Sequence, residues 1–233
     1  MAKVRIILPC YNPRGEWTRR IAGCYEDICR RHPEHEFALT TVDDGAARGY
    51  EDEKVALLRN AVPGVTVLRY TPNRGKGYAL RYALQRSEGD LFIYTDYDFP
   101  YTDESFDAVL SALEGGADVV LAVRDRDYQK RLGPFRRFLS FGSHIANRVF
   151  LGMRQTDTQG GLKGMTVKGR EVFLKTTIDT FLFDTEFIRL AGRTEGVRVE
   201  PVESRIRPDI VMSPMGLKVM FKEMGNFIGL MFK

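Results

Sequence analysis

The chain has 233 residues, 43% of them hydrophobic, which suits one large domain with a substantial core and excludes a disordered chain. Its net charge of +4 comes from 35 basic against 31 acidic residues, so charge gives no sign of a nucleic-acid partner. Cys10, Cys24 and Cys29 show no C-x-x-C pairing, and His32, His35 and His144 lack zinc-site spacing, which excludes a disulfide framework and a zinc centre.

A strand is predicted over residues 3–8, stopped by Pro9-Cys-Tyr-Asn-Pro13. A helix follows over 14–31, with Trp17, Ile21, Tyr25 and Ile28 about one turn apart. The strand 36–42 ends at Asp43-Asp44-Gly45, then come a helix over 50–60 and a strand over 65–70. Thr71-Pro-Asn-Arg-Gly-Lys-Gly77 is a loop leading into a helix over 78–87. The short apolar strand 91–95 ends in Asp96-Tyr-Asp98, and a helix over 103–114 and a strand over 118–123 follow. This alternation implies an α/β fold, a mostly parallel sheet flanked by helices. Ligands of such sheets sit beyond the carboxyl ends of the strands. Pro9 to Asn12, Asp43 to Gly45, Asn73 to Gly77, Asp96 to Asp98 and Arg124 all fall there, so they are expected to converge on one rim.

After Arg124 the alternation breaks. A polar, basic loop (125–133) precedes an expected helix over 134–151 with Phe138, Phe141, Ile145, Val149 and Phe150 on one apolar face. Asp157-Thr-Gln-Gly-Gly-Leu-Lys-Gly-Met165 leads to a short strand ending at Val167 and a helix over 169–175. Phe181-Leu-Phe-Asp-Thr-Glu-Phe-Ile188 leads into another helix, and 197–202 is a late strand. Residues 1–210 read as one domain. In the tail, 211–233, Leu217, Phe221, Met224, Phe227 and Ile228 alternate with Lys218, Lys222 and Lys233, a pattern suited to a membrane interface or to packing on the domain. With no signal-peptide apolar region and no run of about 18 apolar residues, the expectation is a cytoplasmic protein without a membrane span.

Two carboxylates one residue apart at the end of a buried strand repel each other unless a cation lies between them. A hard divalent ion, Mg²⁺ or Mn²⁺, takes such oxygens together with substrate phosphates, which makes Asp96 and Asp98 candidate metal ligands. The alternative is two solvated aspartates in a turn, with Asp98 or Thr102 capping the next helix. Arg136 and Ser140 are four apart and share a helix face. The Asn73 loop is not a P-loop, and no G-x-G-x-x-G follows a strand, which disfavours a dehydrogenase.

Ile7-Leu-Pro-Cys-Tyr-Asn12, Val42-Asp-Asp-Gly45, Asn73-Arg-Gly-Lys-Gly77, Asp96-Tyr-Asp98, Asp157-Thr-Gln-Gly-Gly-Leu-Lys163 and Phe183-Asp-Thr-Glu186 occur in one order. That order resembles family 2 glycosyltransferases of GT-A fold, above all the polyprenyl-phosphate enzymes such as dolichyl-phosphate mannose and glucose synthases. The resemblance implies a cytoplasmic, membrane-peripheral, inverting hexosyltransferase. Its donor would be a UDP- or GDP-sugar, its acceptor a polyprenyl phosphate, and its cofactor Mg²⁺ or Mn²⁺. It implies that Pro9, Tyr11, Asn12, Asp43 and Asp44 bind the nucleoside, that Arg74 or Lys76 meets phosphate, and that Asp96 and Asp98 hold the metal. Gln159 joins the donor site, and Arg124, Arg136 and Ser140 hold the lipid phosphate. Asp184 would be the base if the acceptor were a sugar hydroxyl. The relatives often carry Gln where Pro100 stands and Cys where Gly160 stands. Some relatives rely on an integral-membrane partner. A sugar nucleotidyltransferase, which would want a Gly-rich, Arg-containing loop after the first strand, and a non-enzymatic membrane-binding module are the rival readings.

Overall fold

Alternation along the strands sorts the apolar side chains into two cores, one on each face of a sheet. Ile6, Leu8, Ile93 and Val120 face one cluster, while Ile7, Phe92, Tyr94, Val119 and Leu121 face the other. Both faces are therefore covered, as near-continuous apolar strands require. The computed structural model of the protein describes residues 1–124, 158, 160–210, 227 and 229.

The described strands are β1 (Lys3–Cys10), β2 (Glu36–Asp44), β3 (Thr66–Tyr70), β4 (Leu91–Tyr94), β5 (Val119–Arg124), β6 (Lys163–Thr166) and β7 (Val199–Ser204). They form one sheet in the order β3-β2-β1-β4-β6-β5-β7. β1 runs parallel to β2 and β4, β2 to β3, and β5 to β7. β6 inserts antiparallel between β4 and β5. Its first residue, Lys163, pairs with Tyr94, so the start of β6 lies at the carboxyl end of β4.

The described helices are α1 (Trp17–Arg31), α2 (Asp52–Ala61), α3 (Lys76–Leu84), α4 (Asp103–Glu114), α5 (Val167–Phe173) and α6 (Phe183–Arg193). The first cluster holds residues of α1, α2 and α4, and the second holds residues of α3, α5 and α6. α1 begins later than its apolar spacing suggests, because Pro13 and Gly15, at φ +62°, keep the preceding segment out of helix. Trp17 opens it, stacked on Tyr50 with ring centroids 5.0 Å apart and its indole N–H donating to the Gly49 carbonyl. α3 begins at Lys76 rather than at residue 78, which puts that lysine in the first turn. Among the described residues no helix is long and apolar enough to cross a membrane. Phe227, in the tail, is half-buried and packs against the second cluster, so at this residue the tail meets the domain.

Candidate active site

The carboxyl ends of β1, β2 and β4 do converge, and each predicted segment there has identifiable work. Pro9 is buried at the end of β1, and Tyr11 beyond it is 51% exposed. Asn12 takes φ +47°, which asparagine tolerates, and its side-chain oxygen accepts from the N–H groups of Ala47 and Arg48 at 2.9 and 3.2 Å. It thus ties the loop after β1 to the loop after β2.

Asp43 is buried, accepting from the Ala46 N–H at 2.8 Å and from Arg69 at 3.2 Å. Asp44 is buried too and holds the neighbouring loop. It accepts from the Tyr70 hydroxyl at 2.7 Å, the Asn73 amide at 2.8 Å and the N–H groups of Arg74 and Gly75 at 2.8 and 3.0 Å. Asp44 thus positions the Asn73–Gly75 loop. Gly45, at φ +64°, brings the two loops together: a Cβ there would lie 2.5 Å from the Asn73 nitrogen. Gly45→Ala is therefore expected to destabilise the protein by about 2 kcal/mol or more, since it combines a disfavoured φ with a backbone clash. Thermal unfolding checks this, and an unchanged midpoint would show that the loops can separate at no cost.

The Asn73 loop delivers two cations. The Arg74 guanidinium lies over the Tyr78 ring, 3.5 Å from its centroid. Lys76 reaches inward and its ammonium donates to Asp96 Oδ1 at 2.6 Å. Burial pulls the Lys76 pKa down, but Asp96, Asp184 and Asp98 outweigh it and leave the group above its ordinary value. The cation that these two carboxylates demand is, in this structure, partly supplied by lysine.

Asp98 is half-buried, and its carboxyl is pushed up by burial first and by Asp96 second. Neither Asp98 nor Thr102 caps α4: Thr102 occupies the position before the helix but its side chain makes no capping bond to the backbone. After Asp98 the chain turns at Phe99, with φ +46°, a conformation bulky residues rarely adopt and a form of strain that clusters at functional sites. Pro100 brings no ligating group. Among the described residues no group of three or more His, Cys, Asp or Glu is placed to hold a metal. Asp96 and Asp98 supply two hard oxygen donors whose mutual repulsion a divalent ion would relieve. They fit Mg²⁺ or Mn²⁺ on the condition that water and substrate phosphate complete the shell.

Beneath the rim lies a buried group of which sequence reasoning found only one member. Asp184, 4% exposed, accepts from the Tyr94 hydroxyl at 2.6 Å and pairs through the same oxygen with the Lys163 ammonium at 2.8 Å. Lys163 is fully buried and also donates to the Gly160 carbonyl at 2.5 Å. The signal for it was a lysine among Leu162, Gly164 and Met165 in a strand-like run, where a charged residue needs a buried partner. Asp184 and Glu186 do not cap α6. Glu186 accepts from the N–H groups of Thr177 and Ile178, both at 2.8 Å, and so fixes the segment whose Asp179 carbonyl receives the Gly77 N–H at the start of α3.

Both glycines of the Gly160-Gly161 pair have protein atoms close by. Gly160 packs on the Ala122 carbonyl, and Gly161 on Asp96, whose Oδ2 would lie 2.6 Å from any Cβ added there. The Gly161 N–H donates to the Tyr101 hydroxyl at 2.6 Å. Arg136, Ser140 and Gln159, and the side chain of Arg124, lie outside the described residues.

A mostly parallel sheet of this order, with carboxylates and a lysine gathered beyond β1, β2 and β4, has the architecture of the GT-A fold. Mannosyl-3-phosphoglycerate synthase from Rubrobacter xylanophilus superposes with a TM-score of 0.66 at 17% identity, over 99% of this chain and 73% of that one. A mannosyltransferase from Pyrobaculum calidifontis, solved with GDP-Man and Mn²⁺, gives 0.64 at 19% identity over 99% and 63%. The model of glycosyl transferase family 2 matches residues 5–173, and the chain belongs to that family.

Among curated relatives, dolichyl-phosphate beta-glucosyltransferase of Drosophila melanogaster is 24% identical over 207 residues, 81% of this chain and 62% of that protein. Dolichol-phosphate mannosyltransferase of Pyrococcus furiosus is 26% identical over 155 residues, 64% and 41%. The chain thus spans less than two thirds of the length of these relatives.

Proposed function

We propose that this glycosyltransferase moves a hexose, with inversion, from a UDP- or GDP-sugar to a polyprenyl phosphate at a membrane surface. A phosphate oxygen of the acceptor forms the bond to the anomeric carbon as the bond from that carbon to the diphosphate breaks, its electron pair leaving with the nucleoside diphosphate. Such an acceptor is already an anion, so it needs positioning and charge screening rather than a base.

The observation that carries this reading is the state of Asp184. A hydroxyl acceptor would need a carboxylate base within reach. Asp184 is buried, with one oxygen already held by both Tyr94 and Lys163. Relatives named for dolichyl phosphate support the same acceptor class. Asp96 and Asp98 would hold Mg²⁺ or Mn²⁺, which when bound neutralises charge on the departing diphosphate. Lys76 sits where it could add a second positive charge. The exposed Tyr11 would offer a stacking surface for the base, and Asp43 would accept a hydrogen bond from the base or ribose. Arg124, Arg136 and Ser140 remain our assignment for the lipid phosphate, and the tail after residue 210 for contact with the membrane or with an integral partner. In this reading the protein is cytoplasmic and peripheral.

The acceptor is tested with donors labelled in the sugar, Mn²⁺, and a mixture of short-chain polyprenyl phosphate and oligosaccharide. Label is expected in an acid-labile, organic-extractable product. Label found only on the oligosaccharide would replace this reading with glycan assembly.

A further inference from the structure

We propose that Lys76 is an internal counter-ion that occupies Asp96 until a diphosphate arrives, so that divalent-metal binding at this rim depends on the nucleotide. The inference rests on the reading of the rim as a nucleotide-diphosphate site.

One oxygen of Asp96 is already engaged. Oδ1 holds the Lys76 ammonium at 2.6 Å, and Oδ2 lies against Gly161, too close for even a methyl group. Yet the Asp96 carboxylate is 43% exposed and the Lys76 side chain 16%, so an incoming ion meets Asp96 with the ammonium already in place. Lys76 also feels the charges of Asp98 and Asp184, which favour keeping it there. Arg74, the neighbouring cation, lies over Tyr78.

A divalent ion and an ammonium on one carboxylate oxygen repel each other strongly at the dielectric of a partly buried site. The metal alone must displace Lys76 and leave it without its anion. A diphosphate changes the balance, because its oxygens give the ammonium charge-assisted partners at least as strong as Asp96. Lys76 then turns from Asp96 to phosphate, and Asp96 Oδ1 becomes a metal ligand. Its place in the first turn of α3, on a flexible four-carbon stem, permits that exchange without moving the helix. Linkage makes the effect reciprocal: the factor by which nucleotide tightens metal equals the factor by which metal tightens nucleotide.

The test is Mn²⁺ binding followed by the electron paramagnetic resonance signal of free Mn²⁺, using the full chain, with and without UDP or GDP. Wild-type protein is expected to bind Mn²⁺ weakly alone and on the order of tenfold more tightly with nucleotide. Lys76→Met is expected to bind Mn²⁺ alone about tenfold more tightly than wild type, with a smaller gain from nucleotide. Lys76→Arg keeps the charge and is expected to behave like wild type without nucleotide. If Lys76→Met binds Mn²⁺ alone no better than wild type, while the wild-type complex with nucleotide still needs Asp98, the counter-ion role is overturned and the donor site stands. If no nucleotide promotes Mn²⁺ binding in any variant, both the proposal and the reading beneath it fail.

Discussion

Lys163→Met is expected to lower the midpoint of thermal unfolding by roughly 10 °C, the equivalent of about 3–5 kcal/mol. Lys163 is fully buried, and methionine fills a similar volume, so the loss is one of charge. Removing the ammonium leaves Asp184 buried beside Tyr94 without the cation paired to it, and leaves the Gly160 carbonyl without its lysine donor. Breaking one half of a buried pair costs far more than the pair contributes. The double variant Lys163→Met with Asp184→Asn is therefore expected to recover more than half of the loss, since a neutral amide can still accept from the Tyr94 hydroxyl. Scanning calorimetry on the wild type, both single variants and the double variant forms a double-mutant cycle. Additive losses would mean that the pair is not coupled and that the floor of the site is held by something else.

Asp98→Ala is expected to act in the opposite way, on activity and not on stability. Sugar transfer should fall by about 10³-fold, the scale of losing a main electrostatic contributor at a developing charge. The folded protein should be no less stable at pH 7. Burial and the Asp96 charge push the Asp98 carboxyl up, so this acid holds its proton more tightly folded than unfolded. An acid shifted that way favours folding at low pH and costs stability as pH rises past its ordinary range. Its removal at neutral pH relieves a cost, the usual sign of a residue kept for function. Initial-rate measurements beside a thermal scan separate the two effects. A rate within tenfold of wild type would remove Asp98 from the chemistry.

The contrast between Lys163 and Asp98 also explains what the sequence could and could not disclose. Strands such as Lys3–Cys10 and Leu91–Tyr94 are legible because apolar runs bounded by Pro, Asp and Gly have few other uses, and parallel β1, β2 and β4 then put their carboxyl ends on one rim. The position of Asp96 and Asp98 on that rim was legible for the same reason. Partnerships across the sheet were not. Nothing local to Asp44 tells that it will gather Tyr70, Asn73, Arg74 and Gly75, because those bonds close only when β2 and β3 pair. Asp184 and Glu186 read as a helix start, since acidic residues in a first turn are common. Their actual partners, Lys163 and Tyr94 for one and Thr177 and Ile178 for the other, come from β6, β4 and the segment before α6. The antiparallel entry of β6 between β4 and β5 is likewise a tertiary outcome, and it is what carries Lys163 beneath the rim.

The account is tested most directly by release of nucleoside diphosphate from the purified protein. The donors are UDP-glucose, UDP-galactose, UDP-GlcNAc and GDP-mannose, each with Mn²⁺ or Mg²⁺, with and without a short-chain polyprenyl phosphate. The account predicts release from one of these donors that needs both the metal and the lipid phosphate and disappears in Asp98→Ala. Release at the same rate without lipid phosphate, or in Asp98→Ala, would contradict it.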